Sequence, residues 1–261
     1  MSLRDKPEYV PGHGLLRDKK VVITAAAGTG IGFAVAKKCV EEGAQILLSD
    51  IHEGRLHDAA TRIERELGVS PSTVVCDVTE QQQVDGLFKV AKFQFGVPDV
   101  VINNAGLGGT ADLVDMTDQQ WATVLDVTLN GTFRMTRAAM QQMKLGSGGV
   151  IVNNASVLGW RAQKGQAHYA AAKAGVMALT RCAGMEGAEF GVRVNAVAPS
   201  LAMHPFLAKV TTEELLEELT AKEAYGRAAE VWEVANVIVF LASGYSSYMT
   251  GETVAVSSQQ A

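Results

Sequence analysis

Tyr169 and Lys173 stand four residues apart in the helix-like run His168-Tyr169-Ala170-Ala171-Ala172-Lys173. One turn of helix brings residues i and i+4 to the same face, so this spacing sets an ammonium beside a phenol. A free phenol ionises near ~10, too high for ready proton exchange at neutral pH. A neighbouring positive charge favours the phenolate and lowers that value, which makes a tyrosine a usable general acid/base. Ordinary solvated helices carry the same spacing, so the pair gains meaning only from its surroundings.

A second signature lies near the N-terminus. The apolar run Val21–Thr24 leads into Ala25-Ala26-Ala27-Gly28-Thr29-Gly30-Ile31-Gly32, followed by an amphipathic helical pattern. Small residues here let the backbone around Gly28, Thr29, Gly30 and Ile31 approach a pyrophosphate, whose charge meets the free N–H groups at the helix start. Asp50 closes the next apolar run, about twenty residues further on. A carboxylate in that place accepts hydrogen bonds from both ribose hydroxyls of NAD and repels the 2′-phosphate of NADP. Neither Arg nor Lys stands beside the glycines, and Ile51 follows the aspartate. These features favour NAD; the plain alternative for Asp50 is a solvated strand end.

The elements that would position these groups are legible from periodicity. Val21–Thr24, Gln45–Ser49, Thr73–Cys76, Val100–Ile102 and Val150–Val152 are continuously apolar, as strands buried on both faces are. Val192–Val197 and Thr253–Val256 supply a sixth and seventh strand. Helical patterns alternate with them over 31–42, 53–67, 80–94, 117–143, 168–189 and 230–242. Such alternation predicts a single-domain α/β fold of Rossmann type, a doubly wound parallel sheet of about seven strands with helices on both faces. Residues 15–261 form that domain, and 1–14, charged and rich in proline and glycine, read as a flexible arm. The stretch 200–227 interrupts the rhythm with a proline-containing loop and an acidic helical run, Thr212–Glu223. Ligands sit at the carboxyl ends of such strands, so this insertion is a candidate substrate lid.

Composition narrows the partners. The 261 residues are 48% hydrophobic and carry a net charge of −5, which disfavours nucleic acid and anionic membranes. The apolar runs are too short to span a bilayer, and the N-terminal segment lacks the apolar core of a signal peptide. Cys39, Cys76 and Cys182 are widely separated, odd in number and without metal-type spacing. Their apolar contexts predict buried thiols in a reducing cytoplasm.

With the glycine loop, Asp50, Asn103-Asn104-Ala105-Gly106, Ser156, Tyr169 and Lys173 in order, the chain from about Leu15 onward resembles the short-chain dehydrogenase/reductase family. Ser156 precedes Tyr169 by thirteen residues, as in that family. The resemblance implies that Tyr169 moves the proton of a secondary alcohol or ketone while hydride passes to or from the nicotinamide. It implies that Lys173 tunes the tyrosine and holds the nicotinamide ribose, and that Ser156 polarises the substrate oxygen. Asp77 and Val78 would contact the adenine edge, Asn104, Ala105 and Gly106 the adenine-ribose side, and Ala202 the nicotinamide end. Plain readings exist as well, because asparagines turn chains and a serine after a strand often caps a helix.

Several positions depart from the family pattern. The Thr-Gly that usually opens the loop is Ala25-Ala26, which removes a bracing hydroxyl; Thr24 is a candidate substitute. Thr128 occupies the place of an asparagine that stabilises a helix kink, and its hydroxyl is expected to preserve that kink. Pro199-Ser200 replaces Pro-Gly, and His204 replaces a threonine. His204 is a candidate for the nicotinamide carboxamide, for an anionic substrate, or for neither.

The string Asn153 to Gln163 with His168 to Cys182 is similar to bacterial family members that oxidise a hydroxyl on a steroid fragment. Trp160 and Met203 are then candidates for an apolar wall, and Arg161 and His204 for contacts to a carboxylate or its thioester. Two alternatives stand beside this alicyclic dehydrogenase: a 3-oxoacyl-thioester reductase, and a catalytically silent NAD-binding regulator. Small residues on the long helices 117–143 and 168–189 suit packing across a two-fold axis, so a homo-oligomer, dimer or tetramer, is expected.

Overall fold

The computed structural model describes residues 5–205, 207 and 213–258. Seven strands form one parallel sheet: β1 (Lys20–Ile23), β2 (Gln45–Asp50), β3 (Ser72–Val75), β4 (Val100–Asn103), β5 (Gly149–Asn154), β6 (Val192–Pro199) and β9 (Thr253–Val256). Their spatial order is β3-β2-β1-β4-β5-β6-β9. The order reverses between β1 and β4, which opens the crevice at their carboxyl ends where ligands bind in such sheets.

Alternate strand residues serve two separate cores. Val21, Ile23, Ile46 and Leu48 pack against α1 (Ile31–Glu41), α2 (Glu53–Leu67) and α8 (Val231–Ala242). Val22, Leu47, Val101 and Ile151 face the other way, onto α3 (Gln81–Phe95), α5 (Gly131–Met143) and the far part of α6 (Ala167–Ala188). Period-two side-chain alternation within wholly apolar strands is what lets one sheet feed both layers. Among the described residues, no helix is long and apolar enough to cross a membrane.

The predicted helix 117–143 is not continuous. It begins as α4 (Asp118–Leu125), whose start is secured by reciprocal bonds between Thr117 and Gln120. It then widens into one π-helical turn, Asp126–Asn130, before resuming as α5. Apolar periodicity shows an amphipathic face, and a single wide turn changes that pattern too little to be seen in it.

The segment 200–227 is anchored at its base by two short parallel strands, β7 (Ala202–Met203) and β8 (Ala229–Glu230). Its acidic run forms α7 (Glu213–Ala221). Residues 206 and 208–212, Thr212 included, lie outside the described residues.

Residues 5–14 carry no helix or strand, yet they are fastened rather than loose. Glu42, 1% exposed, accepts from the backbone N–H of His13 at 2.8 Å and of Leu15 at 2.9 Å. Lys38 donates to the Val10 carbonyl, Tyr9 packs edge-on to Trp232, and Lys6 pairs with Glu230. Charge, proline and glycine content marked this stretch as irregular but held no sign of its partners. Replacing Glu42 with Ala strands two amide donors, and each unsatisfied buried donor costs about 1–3 kcal/mol. We expect Glu42→Ala to lose roughly 2–3 kcal/mol in urea unfolding, with Glu42→Gln losing clearly less because it keeps an acceptor.

Candidate active site

Two cavities open at the carboxyl ends of the strands. The larger, about 1010 Å³, is walled by the ends of β1 to β4, including Ala25, Asp50, Asp77, Val78, Ala105 and Gly106. The smaller, about 320 Å³, is walled by Ser156, Tyr169, Ala202, His204 and Ile31 together with a group of leucines. Of the predicted site residues, Asp50, Asp77, Val78, Ala105 and Gly106 line the larger cavity and Ile31, Ser156, Tyr169 and Ala202 the smaller. Gly28, Thr29, Gly30, Asn104, Thr128 and Lys173 line neither.

The glycine loop has the shape a pyrophosphate requires. Gly28 holds φ +95°, a conformation that L side chains resist. A side chain on Gly32 would sit 2.0 Å from the Ala25 carbonyl oxygen, so only glycine lets α1 approach. Thr29 is exposed at the rim and Gly30 precedes the first turn of α1. Ala25 itself adopts φ 49°, a left-handed geometry that costs a non-glycine residue roughly 1–2 kcal/mol.

Hydrogen bonds from the next strand hold it there. The Asn104 amide donates to the Ala25 carbonyl at 3.1 Å. The Thr24 hydroxyl accepts from the backbone of Asn104 at 3.0 Å and of Ala105 at 3.1 Å. Thr24 therefore supplies the brace that Ala25-Ala26 lacks, and it does so from the strand end rather than the loop.

Asp50 is 9% exposed and is tethered at both oxygens, accepting from Ala27 N–H at 3.2 Å and His52 N–H at 3.0 Å. Burial pushes its carboxyl above the usual range, while the Ala27 bond, the Arg55 charge and the Ile51 amide pull it back. Arg55 belongs to the same wall. Reading only the residues next to the glycines missed it, since α2 returns its first turn to the end of β2. Asp77 accepts from Thr79 at 2.9 Å and 2.7 Å, and Val78 is buried against Gly131.

Ser156, Tyr169 and Lys173 converge. Ser156 Oγ accepts from Leu158 N–H at 3.2 Å and hydrogen-bonds the Tyr169 phenol. The Lys173 ammonium lies 5.5 Å from the centre of the Tyr169 ring and donates to the Asn154 carbonyl. Burial pushes Lys173 down to about 8 and raises Tyr169 above its ordinary value, the latter opposed by the Ser156 bond. The expected depression of the phenol by the lysine is not seen here: burial raises the phenol, and the opposing influence comes from Ser156.

Asn154 Nδ2 donates to Asn104 Oδ1 at 2.9 Å, which links Lys173 to the glycine loop through three strand ends. A deeper row runs parallel: Asn103 donates to Thr136 and Asn153, and Asn153 to Thr180. The repeated Asn-Asn after β4 and β5 was the available signal for both rows.

Thr128 is fully buried in the π-helical turn. Its hydroxyl accepts from Leu107 N–H at 2.9 Å and donates to Leu107 O at 3.1 Å. The kink is present, and the threonine ties it to the loop after β4. His204 lies beside the glycine loop, with ring atoms 3.9 Å from where a Gly30 side chain would begin. Its Nδ1 accepts from Leu207 N–H at 3.3 Å, and burial lowers its pKa. Trp160 is 54% exposed and lines neither cavity, and Arg161 and Met203 line neither as well. The apolar wall comes instead from Leu158, Leu201, Leu207, Leu215 and Leu219. Cys39 and Cys76 are buried, whereas Cys182 is exposed.

A glycine-rich turn at a helix start, a strand-end carboxylate and a Ser–Tyr–Lys constellation thus stand at the carboxyl ends of one doubly wound sheet, where ligands bind in this architecture. The chain belongs to the short-chain dehydrogenase/reductase family. A family model described as "Enoyl-(Acyl carrier protein) reductase" matches residues 25–258. The chain is 57% identical, over 99% of both proteins, to the (5R,7aS)-5-hydroxy-7a-methyl-1-oxo-2,3,5,6,7,7a-hexahydro-1H-indene-carboxyl-CoA reductase of Mycobacterium tuberculosis (strain ATCC 25618 / H37Rv). It is 36% identical to the cis-4-hydroxycyclohexanecarboxylate dehydrogenase of Sinomonas cyclohexanicum, covering 91% of this chain and 95% of the relative. A crystal structure of a short chain dehydrogenase from Mycobacterium smegmatis matches it at TM-score 0.88 and 53% identity over the full length of both. The protein is accordingly an oxidoreductase of a family that uses nicotinamide cofactors.

Holding a buried ammonium costs stability. A shift from 10.5 to about 8 for Lys173 corresponds to roughly 3 kcal/mol. Because the folded value lies below the unfolded one, that cost is complete below about pH 8 and shrinks as pH rises towards 10.5. Lys173→Met is expected to melt several degrees above wild type near pH 7, even after losing a hydrogen bond worth about 1 kcal/mol. The gap should narrow in melts near pH 10; a variant less stable near neutrality would contradict the assignment.

Proposed function

We propose that the protein is an NAD-dependent dehydrogenase/reductase of compact alicyclic secondary alcohols and ketones. The observation that carries this is the meeting of Ser156 and Tyr169 in one cavity that also presents five leucines, with the Lys173 ammonium held by the Asn154 carbonyl. A volume of about 320 Å³ lies within the range of small-molecule sites, and its apolar wall suits a ring system. Substrates named for two relatives, a methylated hexahydroindene thioester and a hydroxycyclohexane acid, are of that class.

When bound, the nicotinamide supplies the hydride acceptor or donor. Ser156 holds the substrate oxygen, and Tyr169 takes or returns the proton at that oxygen. Lys173 keeps a positive charge beside the phenol and a donor available to the ribose, while the Asn154 carbonyl fixes its direction. Thr128 maintains the kink that shapes this corner. Gly28, Thr29, Gly30 and Ile31 receive the pyrophosphate, and Asp50 the adenosine ribose. Asp77, Val78, Asn104, Ala105 and Gly106 line the adenosine side, and Ala202 the nicotinamide end. The tethered, buried carboxylate of Asp50 supports NAD over NADP, although Arg55 on the same wall tempers its charge.

We further propose that residues 200–227 act as the lid, that the enzyme is cytoplasmic, and that it assembles as a dimer or tetramer. Exposed Phe133, Met185 and Cys182 on α5 and α6 support the assembly.

Absorbance of NADH with a panel of alicyclic secondary alcohols tests the assignment. Tyr169→Phe should lower kcat by about 10²–10⁴ without altering the fold. NAD⁺ should be used at least about tenfold better than NADP⁺, and Asp50→Ser should narrow that ratio. Brisk turnover of straight-chain 3-oxoacyl thioesters with NADPH, and none of alicyclic alcohols, would refute this assignment.

A further inference from the structure

The segment following α7 brings an acid to the smaller cavity. Glu223 lines that cavity, yet its residue is only 5% exposed. Its Oε2 accepts from the Ser258 hydroxyl at 2.7 Å, so the chain beyond β9 holds it in place. The turn beneath it is tight, since Glu223 N–H donates to Thr220 O at 3.1 Å and Gly226 N–H donates to Glu223 O at 2.8 Å.

Among the described lining residues there is no Lys or Arg. His204 is the other basic candidate, and burial holds its imidazole below its ordinary value, hence largely neutral near pH 7. Arg227 stands on the far side of Glu223, where both line a separate small cavity. Its guanidinium is engaged by Glu233 at 2.7 Å and 2.9 Å. Lys173 points to the Asn154 carbonyl. The remaining wall mixes five leucines with uncharged polar residues such as Thr110, Gln163 and Gln166, and charges in a partly enclosed cavity interact more strongly than in bulk water.

We propose that Glu223, positioned by Ser258, is a specificity-determining residue that rejects substrates bearing a free carboxylate and admits their neutral derivatives, thioesters or esters. The inference rests on the alicyclic reading above. A free acid would bring a second anion to a cavity whose described lining residues offer one carboxylate and no Lys or Arg. A neutral acyl derivative meets no such repulsion and presents the same ring to the leucines. Discrimination by repulsion of the unwanted partner is a common route to specificity.

The test compares 4-hydroxycyclohexanecarboxylate with its methyl ester, which differ by one charge. Steady-state kcat/KM with NAD⁺ is measured for each, and calorimetry on the protein–NADH complex gives binding without turnover. Wild type should favour the ester by about tenfold or more. Glu223→Gln keeps an acceptor for Ser258, and a matching thermal melt checks its fold. It should raise kcat/KM for the free acid about tenfold and leave the ester within about twofold. Wild type using the acid as well as the ester would overturn the proposal with no variant needed. So would a ratio unmoved by Glu223→Gln while both compounds are used. Binding of neither compound to either protein would instead bring down the alicyclic reading, and this inference with it.

Discussion

One run of hydrogen bonds ties the Ser–Tyr–Lys constellation to the glycine loop. It passes from the Lys173 ammonium to the Asn154 carbonyl, from the Asn154 amide to Asn104, and from Asn104 to the carbonyl of Ala25. The first step leaves helix α6 for β5, and the next two cross from strand end to strand end, β5 to β4 to β1, at the reversal of the sheet. The parallel register that pairs Asn103 with Asn153 makes the geometry possible, because it sets the two Asn-Asn pairs side by side. Loops carrying the same side chains could not hold them to such tolerance. Rigid strand ends order the donors and acceptors before any ligand arrives.

The electrostatic state of the site is set by burial more than by pairing. Lys173 and Tyr169 both shift towards their neutral forms, and both shifts have desolvation as their first cause. A lysine near 8 remains mostly protonated at neutral pH, so a charge still stands beside the phenol. This is a strained arrangement that a merely stable protein would not keep, and stability surrendered at a reactive site is a familiar trade. Asp50 shows the same tension in milder form, with burial raising it and neighbouring donors pulling it back.

Departures from the family pattern are absorbed by neighbours rather than left open. Thr24 takes over the brace that Ala25-Ala26 cannot provide, binding two amides of the loop after β4. Thr128 keeps the π-helical turn and clasps Leu107 by both backbone groups. In the first case a hydroxyl from the neighbouring position makes the bonds, and in the second a hydroxyl stands in for an amide, since a hydroxyl can donate and accept at once.

Strand positions, the doubly wound class and the Ser–Tyr–Lys set were readable from the chain because they rest on local periodicity and on fixed short spacings. Gly28, Gly32 and Asp50 belong with them, since a turn between strand and helix leaves a compact local mark. The wide turn within 117–143 was invisible because it alters the apolar stripe by a single residue. Arg55 beside Asp50, the fastening of residues 5–14 on Glu42, and the leucine wall with Glu223 were equally hidden. Each joins residues far apart in sequence, or returned by a helix to a strand end, and no periodicity encodes such meetings. Local order determined which groups could do chemistry here; only packing decided which charges they face and what shape of molecule can reach them.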